Sequence, residues 1–124
     1  MANPNIVNVT SILGDNSSTS LTSTSATSIV SNAASSGKVL KINTLIVSNV
    51  DGTNACDITI NKYSAAALGG TAYAIASTVS VPADASLIVV DKTTSIYLKE
   101  NESIGATAGT ASDLIVTCSW EDIS

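Results

Sequence analysis

Two acidic pairs, Glu100 with Glu102 and Glu121 with Asp122, come nearest in type and spacing to catalytic chemistry. Acids two apart share one face of an extended segment. Hydrolysis of a glycosidic bond needs two carboxyl groups about 5 to 9.5 Å apart in a cleft, one with a raised pKa. Glu100 and Glu102 fall in a turn between short strands, so the sequence reads them as a solvated loop. Asp51, Asn54 and Asp57 offer oxygens to a cation, but turn chemistry accounts for them more simply, and no alternating run of acids closed by glycine marks a calcium loop. A nucleophilic triad needs a base, and with no histidine in the chain that role falls to lysine alone. The five lysines (Lys38, Lys41, Lys62, Lys92 and Lys99) flank strands or turns and read as solubilising charges. Cys56 and Cys118 stand more than sixty residues apart. Two thiols without histidine cannot complete a zinc shell, and both read as small buried hydrophobes. Tyr63, Tyr73 and Tyr97 would make a small sugar-binding platform if they converged, and otherwise cap the core as ordinary strand residues. No catalytic residue, cofactor-binding residue or metal ligand is assigned, and no cofactor is expected.

Composition narrows the field further. A chain of 124 residues and 12.5 kDa bounds one domain. It is 44% hydrophobic, too apolar for a disordered protein, yet only 3% aromatic and without phenylalanine. No apolar run approaches the roughly 20 residues of a membrane helix. Arginine is absent, which removes the usual bidentate clamp for phosphate. A net charge of −5 makes association with nucleic acid unfavourable, so neither nucleic acid nor membrane is an expected partner. The opening Met1-Ala2-Asn3-Pro4 has neither the basic nor the apolar stretch of a secretory signal. The Asn-x-Ser/Thr triplets at Asn8, Asn16 and Asn101 read as polar loops.

The elements that must position any site are strands. Across residues 39–50, Leu40, Ile42, Thr44, Ile46 and Val50 share one face by period two. Ile58 and Ile60 do so in the next segment. Tyr73, Ile75, Val79 and Val81 follow, and Leu114, Val116, Cys118 and Trp120 end the series. Turn signals punctuate them: Asp51-Gly52-Thr53-Asn54, whose Asp-Gly pair is a strong hairpin signal, then Leu68-Gly69-Gly70, Glu100-Asn101-Glu102 and Ala108-Gly109-Thr110. Pro82-Ala83-Asp84-Ala85 suits a type I turn with proline in second place. Between residues 10 and 36, fifteen of twenty-seven residues are Ser or Thr, which predicts a loosely held arm over residues 1–20. Within and beyond that arm, residues 5–10 and 26–31 are β-branched islands fit for pairing, the second as an edge strand. The expectation is an all-β protein: an antiparallel β-sandwich, jelly-roll-like, of seven or eight strands over residues 21–124, with a Ser/Thr-rich N-terminal arm.

Several stretches also carry a resemblance. These are Asn5-Ile6-Val7-Asn8-Val9-Thr10; Ser35-Ser36-Gly37-Lys38 within 29–38; Ser48-Asn49-Val50-Asp51-Gly52-Thr53 within 41–53; Val79-Ser80-Val81-Pro82-Ala83-Asp84 within 79–87; and Tyr97-Leu98-Lys99-Glu100-Asn101-Glu102 within 96–104. Together they resemble small virion structural proteins of tailed bacteriophages, especially those of marine cyanophages. The chain departs from that pattern at Ile104-Gly105-Ala106, where relatives often carry a charge after the isoleucine, and at Cys56 and Cys118. The resemblance implies a non-enzymatic protein of the virion, made in the bacterial host cytoplasm. Its specific form would be a capsid decoration (cement) protein that stabilises the outer head surface, with the major capsid protein as partner and a homo-oligomer, a trimer foremost, as the assembled state. A neck or tail component and a fibre module that binds a host glycan are the alternatives. In the decoration reading the partner-binding residues are those of the arm, Asn5, Ile6, Val7, Asn8, Val9 and Thr10, adding as a strand to another chain's sheet.

Overall fold

The computed structural model describes residues 4–124. Its strands are β1 (Ile12–Ser20), β2 (Thr27–Asn32), β3 (Val39–Asn49), β4 (Cys56–Ala65), β5 (Gly69–Val81), β6 (Ser86–Val90), β7 (Ile96–Leu98), β8 (Glu102–Ala108) and β9 (Leu114–Ile123). One sheet runs β1-β9-β3-β6 with β7 also on β3, the other β2-β8-β4-β5, and every pairing is antiparallel. The pairs nest as a single long hairpin: β4 with β5, β3 with β6 and β7, β2 with β8, β1 with β9. Rolling that hairpin adds the contacts of β3 with β9 and β4 with β8, which closes two sheets face to face. This is the jelly roll, and the expected sandwich is what the chain forms. β6 and β7 occupy one edge position, interrupted by a 3-10 turn over Lys92–Thr94 that Asp91 caps with a reciprocal Thr94 contact.

The core lies between the four central strands. Ile42, Leu45 and Val47 of β3, Ile58 and Ile60 of β4, Ile104 and Ala106 of β8, and Leu114, Val116 and Cys118 of β9 are all completely buried. Burying side chains of this size stabilises by about 1.5 to 3 kcal/mol each relative to leaving them in water. Without phenylalanine, small β-branched residues and alanine fill the space between the layers.

Four expectations need correction. First, the predicted loose arm does not extend to Ser20. Residues 12–20 pair with β9 without a break, from Ile12↔Ile123 to Ser20↔Ile115. The serines and threonines there mark an exposed edge strand, where polar side chains cost nothing and hydroxyls find partners: Ser17 Oγ donates to the Ile29 carbonyl at 3.3 Å. The sandwich therefore begins near Ser11, whose amide meets the Ser124 carbonyl at 2.9 Å.

Second, the inward face of β3 is not Leu40, Ile42, Thr44, Ile46 and Val50. Against β9 the register passes from Ile42↔Trp120 to Thr44↔Ser119, leaving Asn43 as a bulge. Beyond it the buried set becomes Leu45, Val47 and Asn49, while Val50 is 53% exposed. Third, the Asp51-Gly52 turn joins β3 to β4 in opposite sheets rather than forming a hairpin. Fourth, the Pro82 turn closes through the Ala85 amide on the Pro82 carbonyl at 3.1 Å, so proline holds its first position and not its second.

Candidate functional site

The residues assigned to partner binding lie outside the sandwich. Asn5 to Thr10 form a turn in which the Asn8 amide reaches the Asn5 carbonyl at 3.0 Å and the Val7 amide reaches Asn5 Oδ1 at 3.0 Å. No strand forms there, because the turn satisfies these amides locally. The segment is tied to the fold where Thr10 donates to the Ser124 carbonyl at 2.7 Å. Ile6 is 54% exposed and Val7 is 90% exposed. Pro4 and Ile6 border a shallow cleft of about 290 Å³ with Val39, Tyr97 and Lys99.

The acidic residues are placed by structural needs. Glu102 is not in a solvated loop: it opens β8 and is 8% exposed. Its Oε2 takes the Lys62 ammonium at 2.8 Å and its Oε1 the Lys99 amide at 2.9 Å. Burial raises the pKa of this carboxyl, and the two lysine contacts more than offset that, so it titrates below the ordinary value. Asp51 accepts from the Thr53 amide at 2.8 Å and from Asn54 at 3.4 Å, which lowers its pKa. These bonds close the turn between β3 and β4. Among the described residues no three His, Cys, Asp or Glu side chains gather as a metal shell would require.

Cys56 and Cys118 are free and buried. Burial pushes the Cys118 thiol up to about 12. The tyrosines do not converge. Tyr63 and Tyr73 sit on β4 and β5 of one sheet, whereas Tyr97 pairs with Lys41 in the other.

What sequence reading missed is a groove of about 380 Å³ at the corner where β1 and β2 face each other, lined by Asp15, Ile29, Asn32, Lys38, Trp120 and Asp122 among others. The inward face of β9 reads Leu114, Val116, Cys118, Trp120, Asp122. Its first three residues are fully buried, and Trp120 is only partly covered because the layers part there. Asp15 stands directly opposite Trp120 across the β1–β9 ladder. Lys38 Nζ meets Asp122 Oδ2 at 3.2 Å on the rim. Asn32, 2% exposed, closes one end by donating to the Lys38 and Leu98 carbonyls at 2.9 and 3.1 Å. The signal in the sequence was the change from apolar to acidic along one face of β9, visible only once Trp120 and Asp122 are read together.

No protein-family model and no curated protein matches the chain. Among solved structures, it is similar to a chain of the Bacillus endospore appendages, described as a novel family of disulfide-linked pili. The identity is 18% and the TM-score 0.52, over 91% of this chain and 88% of that one. A chain of infectious bursal disease virus, Gx strain, aligns at 12% identity and TM-score 0.39, over 90% of this chain and 33% of the viral chain. The first likeness agrees with the two-sheet fold at almost full length.

Proposed function

We propose that this chain is a non-enzymatic structural subunit of a virion, a capsid decoration protein that binds the major capsid protein on the outer head surface and associates with its own copies. One observation carries the reading. A short apolar segment, Ile6 and Val7, is held outside a completed core: it is tied down through Thr10 and Ser11 at the Ser124 carbonyl, and Ile6 borders a cleft with Tyr97 and Lys99 at the edge strand β7. Exposed β-branched residues next to an unpaired strand are an aggregation hazard unless a partner covers them. The strand-and-turn resemblance to phage virion proteins agrees with that use, as does the absence of histidine, which leaves no ordinary general base. Association in this reading is noncovalent, since both thiols lie inside the sandwich.

The test is co-sedimentation of the purified chain with shells assembled from the major capsid protein of the same genome, alongside light scattering of the chain alone. Binding to shells that is lost on removing residues 1–9, with unfolding unchanged, supports the reading. A solution mass near 37 kDa, three times 12.5 kDa, supports a preformed trimer. Failure of the full chain to bind shells overturns the decoration role. Capture by neck or tail components in the same experiment would move the protein to the tail.

A further inference from the structure

We propose that the groove between β1 and β2 binds a neutral sugar ring of a glycan, seated on Trp120. The inference does not rest on the virion reading and can fail or hold independently of it.

The groove is of ligand size: about 380 Å³ falls within the roughly 300 to 1,000 Å³ of small-molecule sites. Its floor is apolar, made by Ile29, Val30, Leu40 and the partly covered indole of Trp120, and its rim is polar. An indole edged by hydrogen-bonding groups suits a ring that is apolar on one face and carries hydroxyls around its edge, because the C–H face packs on the aromatic while the hydroxyls reach the rim. Register brings these parts together. Asp15 is the direct cross-strand partner of Trp120, and Asp122 lies two residues along the same face of β9.

The rim retains capacity for hydroxyl groups. Asp15 Oδ1 accepts the Asn16 amide at 2.8 Å, one bond for a carboxylate that offers about four acceptor sites. Lys38 gives Asp122 one contact at 3.2 Å and, as an ammonium with about three donors, can serve a ring oxygen as well. Charge selects against other ligand classes. Two carboxylates against one ammonium repel phosphates and acidic peptides. A quaternary cation is the other class that an indole attracts, and the net negative rim does not repel it, so the test sets tetramethylammonium against the sugars. A neutral ring escapes the repulsion of anions, and its several hydroxyls use the rim's donors and acceptors as a quaternary cation, which has none, does not.

Trp120 is the only tryptophan in the chain, so its fluorescence reports on this groove alone. The experiment titrates the full chain with glucose, galactose, mannose and N-acetylglucosamine and with their oligosaccharides, reading the emission of Trp120. The expected result is a saturable change with at least one of them. Asp15→Ala, at an exposed position that the core does not use, weakens that response about tenfold or more, as loss of a hydrogen bond to a charged group does. Tyr73→Ala on the opposite sheet leaves it unchanged. The proposal is overturned if no sugar gives a saturable change, if Asp15→Ala binds like the parent chain, or if tetramethylammonium responds where the sugars do not.

Discussion

Lys62 and Glu102 meet at 2.8 Å between neighbouring strands of the second sheet, Lys62 on β4 and Glu102 at the start of β8, with both side chains largely covered. The same carboxylate holds the Lys99 amide at 2.9 Å, so it ties the turn before β8 to the centre of the sheet. Glu102→Ala would leave a covered ammonium and a backbone amide without their acceptor. The expected loss is about 2 kcal/mol, in the range for hydrogen bonds to charged groups, and urea unfolding measures it. An unchanged midpoint would mean that solvent replaces the carboxylate.

The same pair sets a pH dependence. In the folded chain Glu102 titrates below 4.5, its ordinary value, as burial is outweighed by the lysine contacts. Asp51, held by the Thr53 amide, and Asp91, held by the Thr93 hydroxyl, shift the same way. A group whose folded pKa is depressed contributes stability that is complete above its unfolded pKa and is lost as pH falls through the folded one. The melting temperature is therefore expected to hold from neutral pH down to the ordinary carboxylate range and to fall below it. Glu102→Gln should flatten that fall, and calorimetry across the acid range would show it. Equal acid slopes for the two proteins would remove Glu102 from the account.

Gly105 makes room for the β4–β5 turn. A Cβ on it would come within 2.6 Å of Leu68 Cδ2 and 3.1 Å of Tyr63 Cε2. Gly105→Ala is therefore expected to cost about 1 to 3 kcal/mol through overpacking. Leu68→Ala should recover part of this in the double variant, because the nearer clash is with a movable side chain. Additive losses in a double-mutant cycle would place the strain elsewhere.

The architecture was legible because its central strands are long and alternate cleanly. Ile58 with Ile60, and Leu114 with Val116 and Cys118, are buried as their period predicts. Failure came where one backbone residue breaks the count. The Asn43 bulge moves the inward face of β3 from Leu40 and Ile42 to Leu45 and Val47, and nothing in the local composition marks it. Edge strands were harder for a different reason. β1 faces solvent over most of its length, so its residues keep the polarity of a linker, and only the ladder with β9 identifies it. Two covered asparagines were invisible for a third reason. Asn32 and Asn49 each donate from one amide nitrogen to two carbonyls of other segments, Asn49 to Asn54 and Val81 at 3.0 Å each, and sequence does not display such clamps. The groove shared these handicaps, since its walls come from both edges.

Cys118 is completely buried with its pKa raised to about 12, and Cys56 is 3% exposed. The thiolate is the reactive form, so burial and a high pKa together suppress modification. Neither thiol is expected to react with Ellman's reagent in the native chain at mildly alkaline pH, whereas both react in denaturant. Migration of the assembled protein should be the same on reducing and non-reducing gels. Titration of a thiol in the folded state at the denatured rate would place it at the surface and reopen disulfide linkage between copies.

Removing residues 1–20 and removing residues 1–9 should have opposite consequences. The longer deletion takes all of β1, and with it the ladder from Ile12↔Ile123 to Ser20↔Ile115 and the Asp15 wall of the groove. It leaves β9, whose inward side chains include Trp120 and Cys118, as a new unpaired edge. A loss of more than about 2 kcal/mol is expected from the broken backbone bonds, with aggregation through the bared edge. The shorter deletion keeps the Thr10 and Ser11 amides on the Ser124 carbonyl, and the described residues that it removes, 4–9, lie outside the core. Its stability should lie within about 0.5 kcal/mol of the full chain, as for changes away from packed features. Denaturant unfolding of both variants checks this. If the shorter deletion is as damaging as the longer, residues 4–9 are part of the folding unit, and loss of shell binding on their removal would no longer report on a partner.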